Sequence, residues 1–190
     1  MAENKVINFK TNNMNKNFKT TKSTVECYKI RGTKSGVWAD ITIDANEKAG
    51  RLQIASDYGS WQYYWGSCGL NFKDFLISLN IDYVANKFGE GNWFDLDKTI
   101  SNLESNIKEF TQYDTIQDLK NELLEELKNL EESSGKDEFV HKMWNSPKIM
   151  DMADGTPNLE TSISPQFQNF WKILWQVFKE ELKAESLQVV

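Results

Sequence analysis

Histidine occurs once in this chain, at His141, and cysteine twice, at Cys27 and Cys68. A single histidine excludes a two-histidine metal site and leaves one candidate for a general base. The cysteines stand 41 residues apart without metal-ligand spacing and read as buried reduced thiols. No sequence context supports a nucleophilic pairing of either thiol with His141. There is no glycine-rich phosphate loop ending in Lys-Ser or Lys-Thr, and no strand–GxGxxG–helix unit. Long apolar runs are missing too: none approaches the roughly 18–20 residues of a membrane crossing, and nothing resembles a signal peptide. The expectation is a cytoplasmic protein that is not an enzyme and uses no cofactor, metal, membrane or small-molecule substrate.

What is present is aromatic surface and negative charge. Seven tryptophans contribute to a 13% aromatic share, which must be buried or used as contact area. The net charge of −6 over 190 residues argues against nonspecific attraction to nucleic acid, which needs a cationic surface. That total hides an asymmetry. Residues 1–22 carry Lys5, Lys10, Lys16, Lys19 and Lys22 against Glu3, so the remainder is net acidic by ten. This segment lacks a sustained apolar period and reads as a solvated basic tail, residues 1–22.

Periodicity divides the rest into a sheet region, 23–89, and a helical region, 90–190, expected to dock on the same core. Thr24 to Arg31 and Val37 to Ile43 read as strands around a turn at Thr33-Lys34-Ser35-Gly36. In the second, Val37, Ala39, Ile41 and Ile43 share one face. A loop ends at Gly50, where a hairpin would use positive φ. Two further strands alternate through Leu52 and Ile54 and then Trp61, Tyr63 and Trp65, with Asp57-Tyr58-Gly59 as the turn between them. From Leu70 the spacing turns helical, with Phe72, Phe75, Leu76 and Leu79 on one stripe, and a short helix runs on to Gly89. The fold class is α+β: an antiparallel meander of three to four strands covered by a helix, then three to four helices.

Asp95 is placed to cap a helix through Ile100, Leu103, Ile107 and Phe110. Asp114 and Gln117 form a capping-box signature for a helix striped with Leu119, Leu123, Leu127 and Leu130. Lys136 to Asn145 reads as a short helix, and Pro147 to Pro157 as an irregular connection. Ser164 before Pro165 marks the start of a last helix. Its apolar positions, Phe167 to Leu182, cover about 200° of the wheel, beyond the ~100° stripe one core needs. Trp171, Trp175 and Phe178 are therefore either packed on two sides or shown to a partner.

Three constellations admit a sharper reading. Trp61, Tyr63, Tyr64 and Trp65 could stack single-stranded bases, although few cations accompany them and core packing is preferred. In that alternative Lys10, Lys16, Lys19, Lys22 and Arg31 supply the phosphate contacts. The segment 114–138 holds nine acids, among them Glu122, Glu125 and Glu126, against three lysines. It is a solvated helix face or, more sharply, a phosphate mimic. Asp57 and His141 are the residues an enzyme would use, and Asp57 reads first as a turn residue bonded to its own backbone.

The run Ser56-Asp57-Tyr58-Gly59-Ser60-Trp61, then Tyr64-Trp65-Gly66, Phe72-Lys73-Asp74-Phe75-Leu76, Asp82-Tyr83-Val84 and Lys87-Phe88-Gly89, is similar to a module of small phage and prophage proteins. It covers about residues 37–89. With the Lys/Asn-rich composition of an AT-rich host, the whole resembles an anti-CRISPR protein, one directed at the RNA-targeting type VI-B effector. That resemblance implies a non-catalytic inhibitor whose partner is a host CRISPR effector nuclease or its guide-RNA complex. Its partner surface would be acidic and aromatic. The oligomeric state is open, and the module carries no catalytic residues to transfer.

Overall fold

The computed structural model describes residues 21–112, 117–155 and 158–188. Four strands, β1 (Glu26–Arg31), β2 (Trp38–Ala45), β3 (Gly50–Ser56) and β4 (Gly59–Trp65), form an antiparallel meander in that order. Alternation decides which face is covered. Ile41, Ile54 and Trp61 stand opposite one another across three strands, as do Ile43, Leu52 and Tyr63. All point to the same side, and all but half-buried Tyr63 lie in the core. Each fully buried aliphatic or aromatic side chain contributes about 1.5–3 kcal/mol, so a one-residue slip in register would expose the whole set.

Two glycines serve close approach here. Gly50 does not take positive φ, contrary to the expectation for the end of its hairpin loop. It is buried in β3, where a Cβ would lie 2.8 Å from the Phe72 ring and 2.6 Å from Ala45 Cβ. Gly59 does have positive φ, at 151°, and the Trp61 indole crosses 2.7 Å from where its Cβ would be. The carboxylate of Asp57 accepts the Trp38 backbone N–H at 2.8 Å, not one from its own turn. It thereby ties the β3–β4 turn to the start of β2.

Helices α1 (Phe72–Ser78) and α2 (Ile81–Phe88) follow, capped by the Asn71 and Asn80 side chains. Gly89 ends α2 at φ 79°, the left-handed conformation that glycine adopts without strain. They cover one part of the sheet. The other part is covered by the last helix, built from α7 (Pro165–Phe170), a π-helical turn (Trp171–Trp175) and α8 (Gln176–Gln188). Ser164 caps it by accepting the Phe167 N–H, with Pro165 in the first turn. Phe167, Phe170, Leu174, Trp175, Phe178 and Leu182 are buried, while Ile173 and Val177 remain exposed. The buried set spans about 140° at 100° per residue, one broad face rather than two.

A second core lies between α3 (Leu96–Phe110), α4 (Gln117–Glu131), α5 (Lys136–Trp144) and α6 (Pro147–Met152). Asp95 caps α3 by accepting the Lys98 N–H, and Ile100, Leu103 and Ile107 meet Leu123, Leu127 and Leu130. The Asp114 half of the capping box lies outside the described residues. Sequence periodicity missed α6, which begins on Ser146-Pro147, the same pair of residue types that starts α7. It also missed the two-residue strands β5 (Trp93–Phe94) and β6 (Thr161–Ser162). These join the cores: the Asp95 N–H reaches the Glu160 carbonyl at 2.9 Å, and the Ser164 N–H reaches that of Glu90 at 2.9 Å.

Candidate functional site

Most of the aromatic residues expected at a partner surface are interior. Trp61 and Trp65 are 8% and 4% exposed, and Trp175 and Phe178 are fully buried. Four of the expected contact residues therefore offer a partner no surface: Trp61 and Trp65 lie under the covering helices, and Trp175 and Phe178 face the sheet from the last helix. Trp61 packs edge-on to Phe167 at 5.1 Å and donates its indole N–H to the Glu90 carboxylate at 2.7 Å. Trp65 donates to the Tyr83 hydroxyl at 3.0 Å. Tyr63 is half-buried beneath the Lys87 ammonium, 5.1 Å from its ring, and Trp171 is half-buried against Trp175. Tyr64 alone of the hairpin quartet points to the open face, 57% exposed.

The acidic candidates divide in the same way. Glu126 accepts the N–H groups of Lys148 and Ile149 at 3.2 and 2.9 Å, capping α6 from α4. Glu122 pairs with Lys148 at 2.9 Å, raising the lysine's pKa above its usual value. Glu125 stays exposed, near Asn129 on a shallow groove of about 420 Å³. The Ser134 hydroxyl and N–H hold the Glu138 carboxyl down to about 2, with Lys142 adding to the effect. Trp144, at the end of α5, is 70% exposed. Periodicity placed it on its helix but carried no sign that it would be so open.

The expected basic contacts Lys10, Lys16 and Lys19 lie outside the described residues. Lys22 is exposed, and Arg31 pairs with Asp40 at 2.6 Å while lying over the Trp38 ring. Cys27 is exposed on β1, which corrects the expectation of two buried thiols. It falls on the uncovered side of the alternation. Cys68 is half-buried beside the carbonyls of Lys48 and Leu70. His141 is exposed on α5, at the helical core rather than the sheet. The structure therefore does not gather His141, Asp57 and the thiols into one site. No cluster of three or more metal-ligating side chains occurs among the described residues. None of their helices is long and apolar enough to cross a membrane.

A cleft of about 670 Å³ opens where the two cores meet, bordered by Trp93, Asp95, Asp97, Ser133, Lys136 and Gln168. Sequence reasoning had no route to it, since β5 and β6 are too short to show a period.

A model described as a phage family matches residues 18–184, a span that takes in both cores and the strands joining them. The chain belongs to this phage family. Neither the curated proteins nor the solved structures contain a match to it. In this phage protein, one further charged cluster ties the last helix to the sheet. Lys73 bridges Glu26 at 2.6 Å and Glu185 at 2.7 Å, and the Tyr28 hydroxyl lies 2.9 Å from both carboxylates, which share its one proton. Burial pushes Tyr28 up to about 12. Partial exposure of all three charges limits this clasp to about 1 kcal/mol or less per pair.

Proposed function

We propose that this phage protein inhibits host CRISPR defence by binding an RNA-guided effector nuclease, without catalysis of its own. The observation that carries the reading is the exposed Trp144, on a helical unit whose outward charges are mainly carboxylates, Glu125 among them. An exposed tryptophan that loses its water on binding is a common anchor of protein–protein contacts. Acidic side chains would steer it to the cationic channel in which an effector holds its guide RNA. Phage family membership and the resemblance of residues 37–89 to the phage module support the choice of partner.

The test is co-purification of the full chain with a guide-loaded type VI-B effector, together with target-RNA cleavage. The expected result is a stable complex and loss of cleavage. Trp144→Ala and Glu125→Lys should each weaken the complex at least tenfold. No complex and undiminished cleavage would end this reading.

A further inference from the structure

We infer that the open face of the four-stranded sheet is a platform for single-stranded nucleic acid. The aromatic face that alternation suggested for stacking is the covered one, and the opposite side of the sheet is open. There the cross-strand register sets Cys27, Thr42, Gln53 and Gln62 in one polar row. At one end stands Trp38 with Arg31 above it, 5.6 Å from the ring. At the other end Arg51 lies directly opposite exposed Tyr64. Arg31 and Arg51 are the only arginines in the sequence, and both fall on this face. Guanidinium groups bind phosphate in a bidentate manner and stack on bases, which lysine does not reproduce.

Charge selects the occupant. The chain is acidic overall, yet this face is net basic by one: Lys29, Arg31 and Arg51 stand against Asp40, paired with Arg31, and Asp44, directly opposite Arg51. Unpaired bases stack on aromatic rings such as exposed Tyr64 and half-buried Trp38, whereas carboxylates are repelled by the electron-rich ring faces. Trp38 and Tyr64 are two strands and six residues apart, roughly 22 Å from strand geometry, enough for about three or four nucleotides. Shallow depressions of about 420 and 250 Å³ lie between them, lined by Thr42, Gln53 and Gln62 and by Asp44, Arg51 and Tyr64. The inference does not depend on the effector partner.

The experiment is fluorescence anisotropy of labelled rU12, dT12 and a 12-base-pair duplex with the full chain, from 20 to 200 mM salt. The single strands should bind, more tightly than the duplex, with affinity falling as salt rises. Arg51→Glu and Tyr64→Ala should each lower single-strand affinity at least fivefold. Arg51→Glu should also flatten the salt slope by about 0.7. Lys172→Glu, an equal charge change on the exposed side of the last helix, should have less than a twofold effect. Far-UV circular dichroism confirms that each variant is folded. Three outcomes would overturn the platform. They are no single-strand binding at 20 mM salt, equal binding of the duplex, or affinity unchanged by Arg51→Glu and Tyr64→Ala. The last would assign the binding to residues 1–22 alone.

Discussion

Two buried tryptophans offer a controlled test of how this core is held together. Both Trp61 and Trp175 are packed among aromatic rings, but their indole N–H groups meet different fates. Trp61 donates to Glu90 at 2.7 Å, whereas the Trp175 Nε1–H has no hydrogen-bond acceptor among the described residues. Replacing either by phenylalanine removes roughly 40 Å³, which costs about 1 kcal/mol at ~24 cal/mol per Å³. At position 61 the change also removes a charge-assisted hydrogen bond, a further loss of about 1.5–3 kcal/mol. At position 175 it removes an unpaired buried donor, a gain of about 1–3 kcal/mol that offsets the cavity. Trp175→Phe should therefore match the parent or exceed it by up to about 2 kcal/mol, and Trp61→Phe should lie about 3 kcal/mol below the parent. For a domain of this size that separates their Tm values by roughly 6–20 °C. Urea unfolding followed by circular dichroism, with m-values unchanged, measures the difference. If Trp175→Phe proved as costly as Trp61→Phe, the premise of an unpaired donor would be refuted.

Gly50→Ala should cost about 1–3 kcal/mol by driving a methyl group into the Phe72 ring, and Phe72→Leu in the same chain should restore part of it, measured by thermal melting. Glu126→Ala removes the cap of α6 and should cost about 0.5–2 kcal/mol, seen first as faster amide exchange at Lys148 and Ile149. Tyr28, pushed up to about 12, should be a late-ionising phenol when absorbance at 295 nm is followed through alkaline pH. Because its folded pKa is raised, its contribution to stability is complete below about pH 10 and is lost as pH rises through about 12. A Tyr28→Phe variant that left the late phase in place would assign that phase to another tyrosine.

The sheet was legible because alternation in β2 to β4 is strict and a meander requires only local pairing. The helices striped by Ile100 to Ile107 and Leu119 to Leu130 were equally plain, as were the Asp95 and Ser164 caps. What escaped depends on contacts distant in sequence. Glu126 reads as one acid in a run of nine until α6 folds against α4 and presents its free N–H groups. Gly50 reads as a turn residue until the Phe72 ring occupies the space of its missing side chain. The wide apolar arc of the last helix admitted packing on two sides or an exposed interface. Burial decides it: one broad face is interior, and only Ile173 and Val177 remain outside.

The same burial bears on how the molecule can be recognised. With Trp61, Trp65, Trp175 and Phe178 committed to the interior, the exposed aromatics among the described residues are Tyr83, Trp93, Phe110, Tyr64 on the sheet and Trp144 on the helical unit. Tyr64 and Trp144 stand in different electrostatic settings. Arginines flank the open sheet, whereas carboxylates dominate the outer face of α4 and α5. A partner made of protein alone, or of nucleic acid alone, would complement one of these surfaces and be indifferent or repulsive to the other. The guide-loaded nuclease proposed above would present a cationic protein channel and anionic RNA side by side, and under that proposal each surface of this chain would meet the component of opposite charge.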